Sequence, residues 1–249
     1  DGLICAQRSG STRMQALIST GLGDLYTELE DFGVAQSNYR HGEEIARRID
    51  DRFLIFYLNV AQAGLALLQK DSTEALRLIN EERELIRSNA SLYEKGLLKM
   101  ALGRLSLLQG NPSAAVQELE EALDCFSEDG RKLEGDTCRV WLAAAYHGSK
   151  NSGMIGQTIK PIADGRGQVI HPTLIAIHQA REWLSGLQSN HEVGRMIGDL
   201  LTRAGRLAAK LPATRRQLHR MAHVVQMPNP HMVIQAFGHA LVGVGGKTL

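Results

Sequence analysis

The chain has 249 residues and a net charge of +1. It is long enough for one large domain with a sizeable core and too close to neutral to coat nucleic acid along its whole surface. Hydrophobic residues make up 43% and aromatic residues 5%, a balance that favours helices and argues against a β-sandwich.

The predicted elements begin with a repeat. Four stretches share one pattern at a spacing of about forty residues: Leu22-Gly23-Asp24-Leu25-Tyr26, Ala63-Gly64-Leu65-Ala66-Leu67, Leu102-Gly103-Arg104-Leu105-Ser106 and Leu142-Ala143-Ala144-Ala145-Tyr146. In the first three a second signal follows, Ala35 then Tyr39, Ala75 then Ile79, and Ala115 then Leu119. Self-similarity at this period predicts stacked helical hairpins, each burying its apolar face on the next.

Residues 12–29 read as a helix, with Met14, Leu17, Ile18, Leu22 and Leu25 at three- and four-residue spacing. Glu30-Asp31-Phe32-Gly33 makes a turn, and a second helix runs to about Ile49. The next helix carries Phe53, Phe56 and Tyr57, expected in the core between repeats. Asp71 then caps a helix with Glu74 three residues on. In Gly110-Asn111-Pro112, Gly ends one helix, Asn caps the next, and Pro takes the first helical position. Small residues at 23, 64, 103 and 143 are expected to let the two helices of each hairpin approach closely. The fourth unit is degraded, with a flexible turn at 147–153 and a short second helix over 154–163. The units therefore run 12–49, 51–88, 90–129 and 131–163, with capping helices over 172–225 that no longer match the pattern, giving an all-α domain over 12–226.

The texture changes at Met227. Residues 227–231, with Pro228 and Pro230, read as a linker. Residues 233–237 and 240–244 read as strands, Gly245-Gly246 as a hairpin turn, and 247–249 as a returning strand. The expectation is a short β segment over 232–249 that opens a further, truncated domain. Asp1-Gly2-Leu3 lacks an initiator Met and a basic leader, so the chain is expected to be the middle of a longer protein. Gly246-Lys247-Thr248 is not a phosphate loop, because Leu241 stands where the loop needs its first Gly.

Charge is unevenly placed. Between Asp24 and Glu94 there are 14 acidic and 8 basic residues; between Arg195 and His223 there are 7 basic residues against Asp199 alone. His219 and His223 are four apart, but Arg216 and Arg220 beside them disfavour a cation. No nucleophile–base pair or carboxylate pair stands out, so no enzyme, cofactor or metal is expected. Cys5, Cys125 and Cys138 are widely spaced and form no C-x-x-C, which fits a reduced, cytoplasmic protein. No apolar run approaches the ~20 residues of a membrane helix.

The repeat resembles the tetratricopeptide pattern. The first unit fits best, with Leu22-Gly23-x-x-Tyr26, Ala35-x-x-x-Tyr39 and Gly42, although the early Trp and final Pro are missing and the period exceeds the usual 34. Longer units of this kind look like the helical-repeat domains of large bacterial transcriptional regulators. Leu211-Pro212-Ala213-Thr214-Arg215-Arg216-Gln217-Leu218, with Ile234-Gln235-Ala236-Phe237-Gly238 and Val242-Gly243-Val244-Gly245-Gly246-Lys247-Thr248-Leu249, resembles the entry to a winged helix. The regulators that carry it are similar to the antibiotic-regulatory-protein family with a bacterial transcriptional activator domain. The resemblance implies a transcriptional activator whose DNA-binding helix lies past residue 249, often with an ATP-binding module before the repeats.

An array of this kind offers a concave surface to a protein segment or a small-molecule effector. The candidate partner-binding residues there are Asp24, Asn59, Gln62, Arg104 and Arg139. Leu17, Leu58, Ala61 and Leu97 stand where a chaperone-tail clamp would need Lys and Asn. Arg215, Arg216 and Arg220 are candidate phosphate contacts beside a winged helix, or a solvated connecting face. The expected function is regulatory interaction, controlling an adjacent DNA-binding domain, with DNA contacted only through residues past 249 and no membrane partner. A tetratricopeptide adaptor unconnected with DNA is the alternative, and a homo-oligomer remains open.

Overall fold

The computed structural model describes residues 2–85, 90–163, 169–187 and 192–224, and the short segments 232–235, 241–244 and 247–248. After helix α1 (Gly2–Arg8) come helical hairpins: α2 (Thr12–Glu28) with α3 (Phe32–Arg48), α4 (Arg52–Leu68) with α5 (Ser72–Leu85), α6 (Leu92–Leu108) with α7 (Pro112–Glu128), and α8 (Lys132–Gly148) with α9 (Ser152–Ala163). Adjacent helices pack against one another along the array. This is an all-α helical-repeat architecture.

The repeat length has a chemical cause. Helices α2, α3, α4, α6, α7 and α8 are each 17 residues, about 25 Å long. Three residues join one helix to the next within and between most of these hairpins. The middle residue of the connector is left-handed at Gly10, Glu30, Asp50, Lys70, Gly110, Gly130 and Lys150. The Glu30 N–H donates to Thr27 O (3.1 Å) and the Asp31 N–H to Tyr26 O (2.9 Å); the same pair recurs at Lys70–Asp71 and Gly110–Asn111. These bonds satisfy the last carbonyls of the helix. The third connector residue then opens the next helix. Asp51, Asp71 and Asn111 accept from the backbone N–H of Leu54, Glu74 and Ala114. One connector thus closes a helix and caps its successor, and helix starts recur every twenty residues from Thr12 to Ser152. Helix α6 adds a capping box of Ser91 and Glu94, not anticipated from the sequence.

The hairpins close on small residues. A Cβ at Gly23 would lie 2.3 Å from the Tyr39 ring, and one at Gly103 would lie 2.4 Å from Leu119 Cγ. Ala63 and Ala143 hold the equivalent positions and are fully buried. The expectation placed Gly64 among these contacts and is corrected. Gly64 is one residue out of register, and a Cβ there would meet Arg104 Nη1 of the next hairpin at 3.5 Å.

Beyond α9, α10 (His171–Gln179), α11 (Arg181–Leu184) and a 3-10 turn (Ser185–Leu187) run in succession, broken at Ala180; α10 and the 3-10 turn pair with α12 (Glu192–Ala208), and α11 packs on α8. Helix α10 also packs on α8, and α12 on α9. The buried core runs from Phe56 through Trp141 to Ala204, with a smaller cluster around Tyr39 and Leu58. Residues 1–212 form one compact unit and Ala213–Leu249 a second. The second contains most of α13 (Leu211–Val224). No helix among the described residues is long and apolar enough to cross a membrane.

Candidate functional site

The forty-residue register places Asp24, Gly64 and Arg104 at equivalent positions of α2, α4 and α6. All three line one cavity of about 180 Å³, together with Tyr57, Leu97 and Gln179. Asp24 accepts hydrogen bonds from Tyr39 Oη (2.8 Å) and Tyr57 Oη (3.1 Å). Burial raises the Asp24 pKa above 3.8, and the two phenol bonds only partly oppose it. Burial and the nearby carboxylate raise both phenols in turn, which keeps them as donors.

Arg104 also lines an adjoining cavity of about 300 Å³. Its guanidinium carbon sits 4.7 Å over the Trp141 ring, and Trp141 meets Trp183 edge to face at 5.8 Å. The Nε atom is buried with no hydrogen-bond partner. Among the described residues no carboxylate pairs with this cation, and burial alone lowers its pKa to about 10. A desolvated cation–π contact contributes about 2 kcal/mol. Taking a charge out of water costs several kcal/mol. The residue as a whole is half-buried, so the desolvation cost falls on the Nε edge of the guanidinium.

Helices α10 and α11 complete the wall. Lys70 Nζ lies 3.0 Å from both carboxylate oxygens of Glu182, and His178 Nε2 lies 3.0 Å from Glu30 Oε1. His171 Nδ1 and Glu28 are 3.6 Å apart. Each exposed pair contributes at most about 1 kcal/mol, so their consequence is positional. They bring the end of α2 and the end of α4 against α10 and α11. His178 Nδ1 is a second buried nitrogen in this wall without a partner.

The other expected positions fall elsewhere. Asn59 and Gln62 are not on an exposed surface, and that expectation is corrected. Asn59 is 2% exposed and donates from Nδ2 to Glu82 Oε1 of α5. Gln62 is 7% exposed and donates to Glu43 Oε2 of α3 (2.8 Å). Both face second helices, where an amide can satisfy an acid inside the packing. Arg139 lines a separate recess with Asp136 and Arg131. Phe56 is buried, but Phe53 is 41% exposed, which corrects its place in the core. It borders a third recess with Tyr57, Tyr93 and Arg131. Arg215, Arg216 and Arg220 lie on α13, outside the unit that holds the cavities.

Trp141, Trp183 and His178 did not stand out in the sequence as site residues. The available signal was that both tryptophans of the chain fall on helices adjoining Arg104. Among the described residues no three His, Cys, Asp or Glu side chains converge as metal ligands. Comparison with protein-family models, with curated proteins and with solved structures returns no match.

Proposed function

We propose that this chain is the interaction domain of a bacterial transcriptional regulator. Its inner cavities take up a small-molecule effector or a protein segment, and occupancy shifts the conformational population of an adjacent DNA-binding domain. The observation that carries the binding part is Arg104, a half-buried cation in a cavity wall whose Nε atom has no hydrogen-bond partner among the described residues. A fold under selection for stability alone has no use for such a group, whereas a binding site does.

The DNA part rests on the winged-helix phrase at 234–249. Antiparallel pairing of Met232–Gln235 with Leu241–Val244, and of Val244 with Lys247, supports reading it as the opening of a small sheet. Arg215, Arg216 and Arg220 then sit just before that sheet, where they would add affinity for phosphates without sequence preference.

Two measurements test the proposal. Reading the open reading frame past Leu249 should reveal a basic amphipathic helix-turn-helix; a stop codon there makes the chain an adaptor. Selection from a random DNA library with residues 1–249 should enrich no sequence. Tight sequence-specific binding by these residues alone overturns the assignment.

A further inference from the structure

The cavity around Arg104 carries a narrower conclusion about its ligand. Three observations converge there. Arg104 is half-buried, its Nε atom is buried without a partner, and no carboxylate among the described residues pairs with it. Trp141 and Trp183 present a T-shaped aromatic wall. His178 Nδ1 is a second unpartnered nitrogen in the same wall.

Charge bounds the ligand further. The titratable groups lining this cavity are Arg104, Lys70, Arg181, His178, Glu30 and Glu182. Glu182 is matched by Lys70, and Glu30 lies against His178. Apart from His178, the lining holds three cations and two carboxylates, one excess positive charge. That balance suits a monoanion better than a dianionic phosphate ester. The volume of about 300 Å³ is at the small end of ligand pockets, which excludes a folded partner.

We propose that this cavity is a binding site for a small aromatic monocarboxylate. The carboxylate takes the free edge of the Arg104 guanidinium, in the two-point geometry that only arginine offers. The ring packs on Trp141 and Trp183. Binding supplies Arg104 with the carboxylate that no described residue offers it. This proposal rests on the interaction-domain reading above and specifies its ligand class.

The test uses the protein's own fluorophores. Trp141 and Trp183 are the two tryptophans of the chain and both line the cavity, so intrinsic fluorescence reports this site. The chain is titrated with benzoate, phenylacetate and cyclohexanecarboxylate, and with the neutral benzamide. At least one aromatic acid should change the emission saturably with a Kd under about 1 mM, and benzamide should bind at least about tenfold more weakly. Arg104→Met should weaken the acid at least about tenfold. Arg104→Lys keeps the charge without the fork, should fall between the two, and serves if the Met variant does not fold. Tighter binding of cyclohexanecarboxylate than of either aromatic acid overturns the aromatic assignment. No saturable change with any acid, or equal affinity in the variants, overturns the site. Such a failure leaves the interaction-domain reading to the DNA selection and reading-frame tests, which do not depend on this cavity.

Discussion

Glu82 illustrates how single residues decide the energetics of this array. It is 1% exposed, and Asn59 donates to it while Asn59 Oδ1 stays buried without a partner. Burial raises the Glu82 pKa above 4.5, with the Asn59 bond opposing. A folded-state pKa above the unfolded one means that the folded chain holds the proton more tightly. The stabilisation is full below about pH 4.5 and is lost as pH rises through the raised value. Glu82→Gln should keep the acceptor, donate to Asn59 Oδ1, and stabilise the fold at pH 7 by about 1 kcal/mol. Urea denaturation of wild type and variant across pH 4–7 checks this: the variant should lose less stability as pH rises. The burial of Asn59 and Gln62 was not legible in the sequence. A polar residue on an otherwise apolar helix reads as exposed unless its partner is known, and Glu82 and Glu43 lie on other helices.

At the scale of elements, the connectors and hairpin contacts set the register. Lys150 adopts φ 61, a left-handed conformation that costs a non-glycine residue about 1–2 kcal/mol. Gly130 holds the equivalent place after α7. Lys150→Gly should therefore raise stability by about 0.5–1 kcal/mol after the extra entropy of glycine in the unfolded chain, read as a higher urea midpoint at unchanged m-value. Gly103→Ala should do the opposite, costing about 1–3 kcal/mol, because its Cβ would sit 2.4 Å from Leu119 Cγ. Gly64→Ala meets its nearest atom at 3.5 Å and should be neutral or stabilising by up to about 1 kcal/mol through helix propensity. The helices, their caps at Asp71 and Asn111, and the close packing at Gly23 and Gly103 were legible, because each depends on residues near in sequence or on the repeat. Gly64 was misplaced because the motif at 63–67 was aligned one residue out of the forty-residue register.

At the scale of the first unit, a cavity is walled by segments far apart in sequence. Glu30 meets His178 across 148 residues, and Lys70 meets Glu182 across 112. Periodicity identifies first helices and second helices. It does not say which loop of an early hairpin meets which late helix, so Arg104 was legible as a candidate but its tryptophan wall was not. The proposed consequence is a site in which one edge of the Arg104 guanidinium stays unmatched when the protein is empty. An unpaired buried Nε–H in a half-buried cation costs stability, and Met fills the same stem volume without charge. Thermal unfolding of ligand-free Arg104→Met against wild type tests this most directly. Replacing a buried charged group with a packed apolar one stabilises by up to about 1–4 kcal/mol, which for a chain of this size raises Tm by roughly 2–10 °C. A Tm below that of the wild type would mean that Arg104 holds the fold together, and would contradict its reservation for a ligand.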